Sequence, residues 1–159
     1  MKKIGFGIAI ISVAVAGTAI ADPWQVVTVN KVTLEGTLKG GAPFEVRVES
    51  DTPKETSGDY FGATDAPRSV VAGIIVKSSG AKISFPKQAF SDLANALLQT
   101  VSVTSQPSGD LKLRFTGGEG PTNYEAEYFI EGNRLVRRTV SYFERGGDEK
   151  SRVIKTMTF

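Results

Sequence analysis

The dipeptide Gly132-Asn133 stands between two alternating runs, YEAEYFIE before it and RLVRRTVSYFE after it. A two-residue turn of this composition has a twist that matches the strands it joins, so the stretch reads as a β-hairpin with a fixed register. Counting outward from the turn sets Glu131 opposite Arg134, Ile130 opposite Leu135, Phe129 opposite Val136, Tyr128 opposite Arg137 and Glu127 opposite Arg138. Side chains alternate faces along a strand, so parity then sorts the hairpin. Tyr124, Ala126, Tyr128, Ile130, Leu135, Thr139 and Ser141 are assigned to the core. Glu125, Glu127, Glu131, Arg134 and Arg138, with Phe129 and Val136, are assigned to solvent.

Two of the three arginines thus face a glutamate directly. Such a cross-strand pair contributes about 0.2–1 kcal/mol, favours this register and keeps the outer face charged. Arg137 is the exception, a candidate inward charge opposite Tyr128. A buried guanidinium without partners is costly. Either its stem lies along the sheet and its head reaches water, or an acid or ligand meets it.

The same alternation recurs elsewhere. Residues 24–38 alternate through Val27, Val29, Thr33 and Thr37, and FEVRVE at 44–49 puts Phe44, Val46 and Val48 on one face. SVVAGIIVKS at 69–78 is nearly all apolar and reads as a central buried strand. Between these, residues 50–68 follow no period and carry Tyr60 and Phe61 in a long Gly/Pro-containing loop. Loops of this length are uncommon in a compact domain unless they are functional or disordered. Pro86 suits a first helical position. Phe90, Leu93, Ala94 and Leu97 behind it share one helical face, which predicts a helix over about 86–98. Strand patterns resume after Thr100. The expected fold is α+β: a largely antiparallel sheet of about seven to nine strands with one helix packed on one face.

The chain opens MKKIGFGIAIISVAVAGTAIADPW. Two lysines, a short apolar run and the small residues Ala19 and Ala21 form a secretory signal with expected cleavage after Ala21. The apolar run is short of the ~20 residues that span a bilayer. The expected organisation is a signal peptide over 1–21 and a single domain over 22–159, released into a periplasm or medium without a stable membrane anchor. Removing Lys2 and Lys3 from 19 basic residues leaves 17 against 17 acids. A net charge of zero gives no electrostatic case for nucleic acid.

The chain has no histidine and no cysteine, which excludes Ser-His-Asp triads, thiol nucleophiles and imidazole or thiolate metal sites. GGEG at 117–120 lacks the Lys-Ser/Thr and the helix of a phosphate-binding loop, and reads as a hairpin loop. No catalytic, cofactor or metal-binding residue is assigned. Exposed loop aromatics are favoured anchors of protein interfaces, and the alternative for Tyr60 and Phe61 is that they fold back as a small satellite core. The candidate contact residues are therefore Asp59, Tyr60 and Phe61 on the long loop, with Glu119 and Asn123 on the 117–123 loop. The expected function is that of a small exported binding protein, of the inhibitor or immunity type, with a protein partner in the cell envelope. One alternative is a carrier of a small apolar ligand held between sheet and helix. Another is a carboxylate-dependent cell-wall hydrolase, for which a pair of acids would have to face each other across a cleft.

Overall fold

The computed structural model describes residues 21–27, 30–38, 40–54, 58–106, 108–143 and 152–159. The expected leader lies outside these residues but for Ala21. Ten strands are present among them: β1 Ala21–Val27, β2 Lys31–Thr37, β3 Pro43–Asp51, β4 Val70–Ser78, β5 Ala81–Ser84, β6 Ser102–Ser105, β7 Leu111–Gly117, β8 Tyr124–Glu131, β9 Arg134–Phe143 and β10 Arg152–Thr158. They form two five-stranded antiparallel meanders, β1-β2-β3-β4-β5 and β10-β9-β8-β7-β6. Each strand pairs with its sequence neighbour, so tight turns suffice for most connections.

Alternation decides which side of each meander is buried. Phe44, Val46 and Val48 of β3, Leu111, Leu113 and Phe115 of β7, and Tyr124, Ala126, Tyr128 and Ile130 of β8 are all buried. The inward rows of both sheets belong to one continuous apolar cluster. The Tyr128 ring is at its centre, stacked on Phe115 with centroids 5.9 Å apart and edge-on to Phe85 at 5.4 Å. Burial of each such large side chain stabilises by about 1.5–3 kcal/mol before the entropy of ordering is charged against it.

The helix expected over 86–98 does not form, and the α+β expectation is corrected accordingly. Short 3-10 turns occupy Lys87–Ala89 and Leu98–Thr100, and the chain between them turns at residues 90–92 and then follows an irregular path with isolated β-bridges at Leu93, Ala94 and Ala96. This strap runs from the first sheet to the second. Phe61 N–H donates to Asp92 O, Ala94 N–H to Phe61 O, Val71 N–H to Leu93 O and Leu97 N–H to Thr116 O. A helix of this length is marginal in water without tertiary support. Here the backbone groups find partners on both sheets instead. The apolar stripe is buried only in part: Phe90, Leu93 and Ala94 enter the core, while Leu97 is exposed.

The hairpin at Gly132-Asn133 forms with Glu131 opposite Arg134 and Ile130 opposite Leu135. A β-bulge then intervenes, and Phe129 pairs with Arg137 rather than Val136. Val136 is the extra residue, and its carbonyl accepts a hydrogen bond from Phe159 N–H at 3.0 Å. One inserted residue moves everything beyond it to the other face. Arg138 therefore points inward, opposite Tyr128, and Arg137 outward, with its guanidinium 4.0 Å from the Phe129 ring centroid. The inward-charge assignment to Arg137 is corrected to Arg138. Thr139 and Ser141 likewise stand opposite Glu127 and Glu125 on the outer face, and Val140 and Tyr142 replace them inside. Glu127 pairs with Lys112 at 3.0 Å and Glu125 with Arg114, both across β7 rather than across the hairpin.

Candidate functional site

Three elements enclose an open cleft of about 1040 Å³: the 58–66 loop, strands β9 and β10, and the latter part of the 117–123 loop. Asp59, Tyr60 and Phe61 line one wall, Tyr142, Phe143, Lys155 and Met157 the other, and Pro121 and Thr122 one end. Asp92 and Arg138 also line it.

The 58–66 loop is held by backbone and side-chain bonds rather than by a strand pairing of its own. Phe61 forms a parallel bridge with Leu93 of the strap. Asn95, with φ of 50°, joins three segments: its Oδ1 accepts from Arg68 N–H at 3.0 Å and Ser69 N–H at 3.3 Å, and its Nδ2 donates to Gly62 O at 3.0 Å. Its own carbonyl accepts from Gly118 N–H. Gly62, at φ of 88°, lets the loop pass close over the Tyr124 ring and the Ala94 carbonyl, where a Cβ would have no room. An Arg68–Glu119 ion pair of 3.0 Å ties the long loop to the 117–123 loop across the surface.

Beneath the loop, Arg138 is almost wholly buried and Asp92 is about one-third exposed. Arg138 donates to both Asp92 oxygens, at 2.6 and 2.8 Å, and to the Ala89 carbonyl at 3.0 Å. Tyr128 O–H donates to the same carbonyl at 2.8 Å. This two-pronged geometry suits a guanidinium, whose planar fork matches a carboxylate. Burial alone would lower the Arg138 pKa. The hydrogen bonds and charge of Asp92, with a smaller contribution from Tyr128, outweigh it and hold the group above its ordinary value. Burial pushes the phenols of Tyr124 and Tyr128 up, so both stay neutral well past the usual tyrosine range. The Tyr124 hydroxyl and Arg138 Nε are buried with no hydrogen-bond partner among the described residues.

The aromatic lining is itself paired. Phe61 and Tyr142 have centroids 5.0 Å apart at a 59° tilt. The Lys155 ammonium stands 5.3 Å from the Phe61 centroid and 5.6 Å from that of Tyr142, and the Arg138 guanidinium 5.9 Å from Phe61.

Of the residues selected from sequence, Asp59, Tyr60 and Phe61 come together in the cleft. Glu119 stands beside it through its pair with Arg68, and Asn123 lies in a separate depression of about 230 Å³ with Leu97 and Glu125. Asp92, Asn95, Tyr142 and Lys155 are not singled out by the sequence. Asp92 and Asn95 fall within the segment that reads as helix, where they occupy its polar side. Tyr142 and Lys155 are placed by the bulge and by strand register. Among the described residues no group of three or more carboxylates could hold a metal ion, and no helix is long and apolar enough to cross a membrane.

No family model, curated protein or solved structure matches the chain. The functional reading therefore rests on the cleft itself.

Proposed function

We propose that this chain is a small exported binding protein whose partner surface is the cleft between the 58–66 loop and β9–β10. The observation that carries this reading is the convergence of Tyr60, Phe61, Tyr142 and Phe143 on one open cleft. Aromatic side chains at such a surface offer large contact area at low entropic cost, and their partner is of the envelope-protein class, as for an inhibitor or immunity-type protein. The leader-like N-terminus supports export to a periplasm or medium.

The two other functions considered fit less well. The space between the sheets is filled by Phe115, Tyr128 and their neighbours, so an apolar ligand held there would have to displace core side chains. Among the cleft carboxylates, Asp92 has both oxygens taken by Arg138, which leaves it ill placed as a hydrolytic nucleophile.

Co-isolation from the native envelope tests the proposal. A partner retained by the wild-type chain and lost from Tyr60→Ala supports it. Equal retention by Tyr60→Ala removes the cleft from the account.

A further inference from the structure

Lys155 is on the wrong side of its strand for a surface lysine. It pairs with Val140, whose side chain is fully buried, and paired residues of adjacent strands share a face. Its neighbours on that face, Val153 and Met157, stand opposite Tyr142 and Arg138. Lys155 thus projects from the core-facing side of the sheet, at the edge strand, where the first sheet no longer covers it and its side chain is exposed.

The ammonium meets two rings there. At 5.3 and 5.6 Å from the Phe61 and Tyr142 centroids, it is within the range over which an aromatic face attracts a cation. No carboxylate among the described residues forms an ion pair with it. The walls nevertheless carry Asp59, Asp65 and Asp92 against Arg138 and Lys155, three acids to two bases. Arg138 is already committed to Asp92. If Lys155 swung out on its flexible stem, Asp59 and Asp65 would remain on the cleft walls with no base there but Arg138, which is held by Asp92.

We propose that the Phe61–Tyr142 ring pair is the seat for a lysine or arginine side chain of the partner protein, with Lys155 as its internal occupant in the free protein. This rests on the binding function assigned to the cleft and names the chemistry the partner presents. The incoming base replaces Lys155 beside the touching rings, and the wall acids favour the exchange. Lys155 thereby lowers affinity for any basic group that lacks further contacts, which is a means of selecting one partner over loose cations.

Lys155→Met separates this from the other roles a lysine can play at this position. An anion anchor would lose its ligand on substitution, and a lysine that merely blunts a sheet edge would leave cleft binding unchanged. The probes are Nα-acetyl-lysine methylamide, its norleucine counterpart and its glutamate counterpart, titrated while the ring resonances of Phe61 and Tyr142 are followed by NMR. The lysine probe is expected to shift both rings and to bind Lys155→Met about threefold tighter, the factor released when an internal occupant present about two-thirds of the time is removed. Adding Tyr142→Leu to Lys155→Met is expected to abolish the preference for lysine over norleucine. Weaker or unchanged lysine binding in Lys155→Met, a preference for the glutamate probe, or no ring shift with any probe would each overturn the proposal. If a partner still co-isolates through the cleft in those cases, the binding function stands and only the basic seat falls.

Discussion

Arg138 reaches across the core to Asp92 and bonds both carboxylate oxygens, at 2.6 and 2.8 Å. The pair joins β9 of the second sheet to the strap that leaves the first. It also explains how a guanidinium tolerates an inward position opposite Tyr128. The cleft has a rigid floor because this connection fixes the strap beneath Phe61.

The two partners are unequally buried, so removing them has unequal cost. Asp92→Asn strands a nearly inaccessible cation and is expected to destabilise by about 3 kcal/mol. Arg138→Met leaves a carboxylate that is one-third exposed and can hydrate, and keeps an apolar stem in the core, so about 1–2 kcal/mol is expected. Urea denaturation of both variants gives the ordering, and equal losses would contradict the unequal cost of exposing the two partners.

Tyr124 and Tyr128 look alike in sequence and differ in partner. Tyr128 O–H is bonded to the Ala89 carbonyl, whereas the Tyr124 hydroxyl is buried without a partner among the described residues. Tyr128→Phe is expected to cost about 1 kcal/mol, and Tyr124→Phe to be neutral or to stabilise by a similar amount. Thermal unfolding at neutral pH compares the two directly.

The same phenols set an alkaline limit. Their folded pKa values are raised by burial, while in the unfolded chain they ionise near ~10. Above that pH the unfolded chain sheds protons that the folded chain keeps, so stability falls as pH rises. Each tyrosine contributes a slope of about 1.4 kcal/mol per pH unit until its folded pKa is reached. Below pH 10 their contribution is constant. Denaturation between pH 9 and 11.5 is expected to show the fall, and Tyr124→Phe to lessen it. A slope unaltered in Tyr124→Phe would contradict the burial of that hydroxyl.

Gly117 pairs with Tyr124 across β7 and β8, and a methyl group there would run into the Tyr124 ring, with Cε1 2.6 Å from the added carbon. The ring is buried, so yielding means repacking its neighbours. Gly117→Ala is expected to destabilise by about 1–3 kcal/mol. Circular dichroism melting measures the loss, and the double variant with Tyr124→Leu is expected to recover part of it.

Much of the β architecture is legible in the sequence because strands buried on one face carry a period of two. Phe44, Val46 and Val48, and Tyr124 through Ile130, show this plainly. The strap is not legible. Phe90, Leu93, Ala94 and Leu97 have helical spacing, and only partners distant in sequence, such as Phe61, Val71 and Thr116, make a non-helical path the better one. The bulge at Val136 is equally hidden, since no glycine or proline marks it. Its hydrogen-bond partner is non-local: Val136 O receives Phe159 N–H. That one residue exchanges Arg137 for Arg138 and so determines which arginine reaches Asp92. The candidate aromatics of the long loop were visible as such, whereas the opposing wall, Tyr142 and Lys155, depends on register that the bulge resets.

The most direct test of the cleft as a partner surface is site-specific photo-crosslinking in the native envelope. A photoreactive residue at Thr64, on the cleft wall, is compared with one at Lys82, exposed on β5 of the other sheet. The account predicts a discrete cross-linked protein from Thr64, none from Lys82, and loss of the Thr64 product when Tyr60→Ala is added. Equal capture from both positions, or a Thr64 product indifferent to Tyr60→Ala, would contradict it.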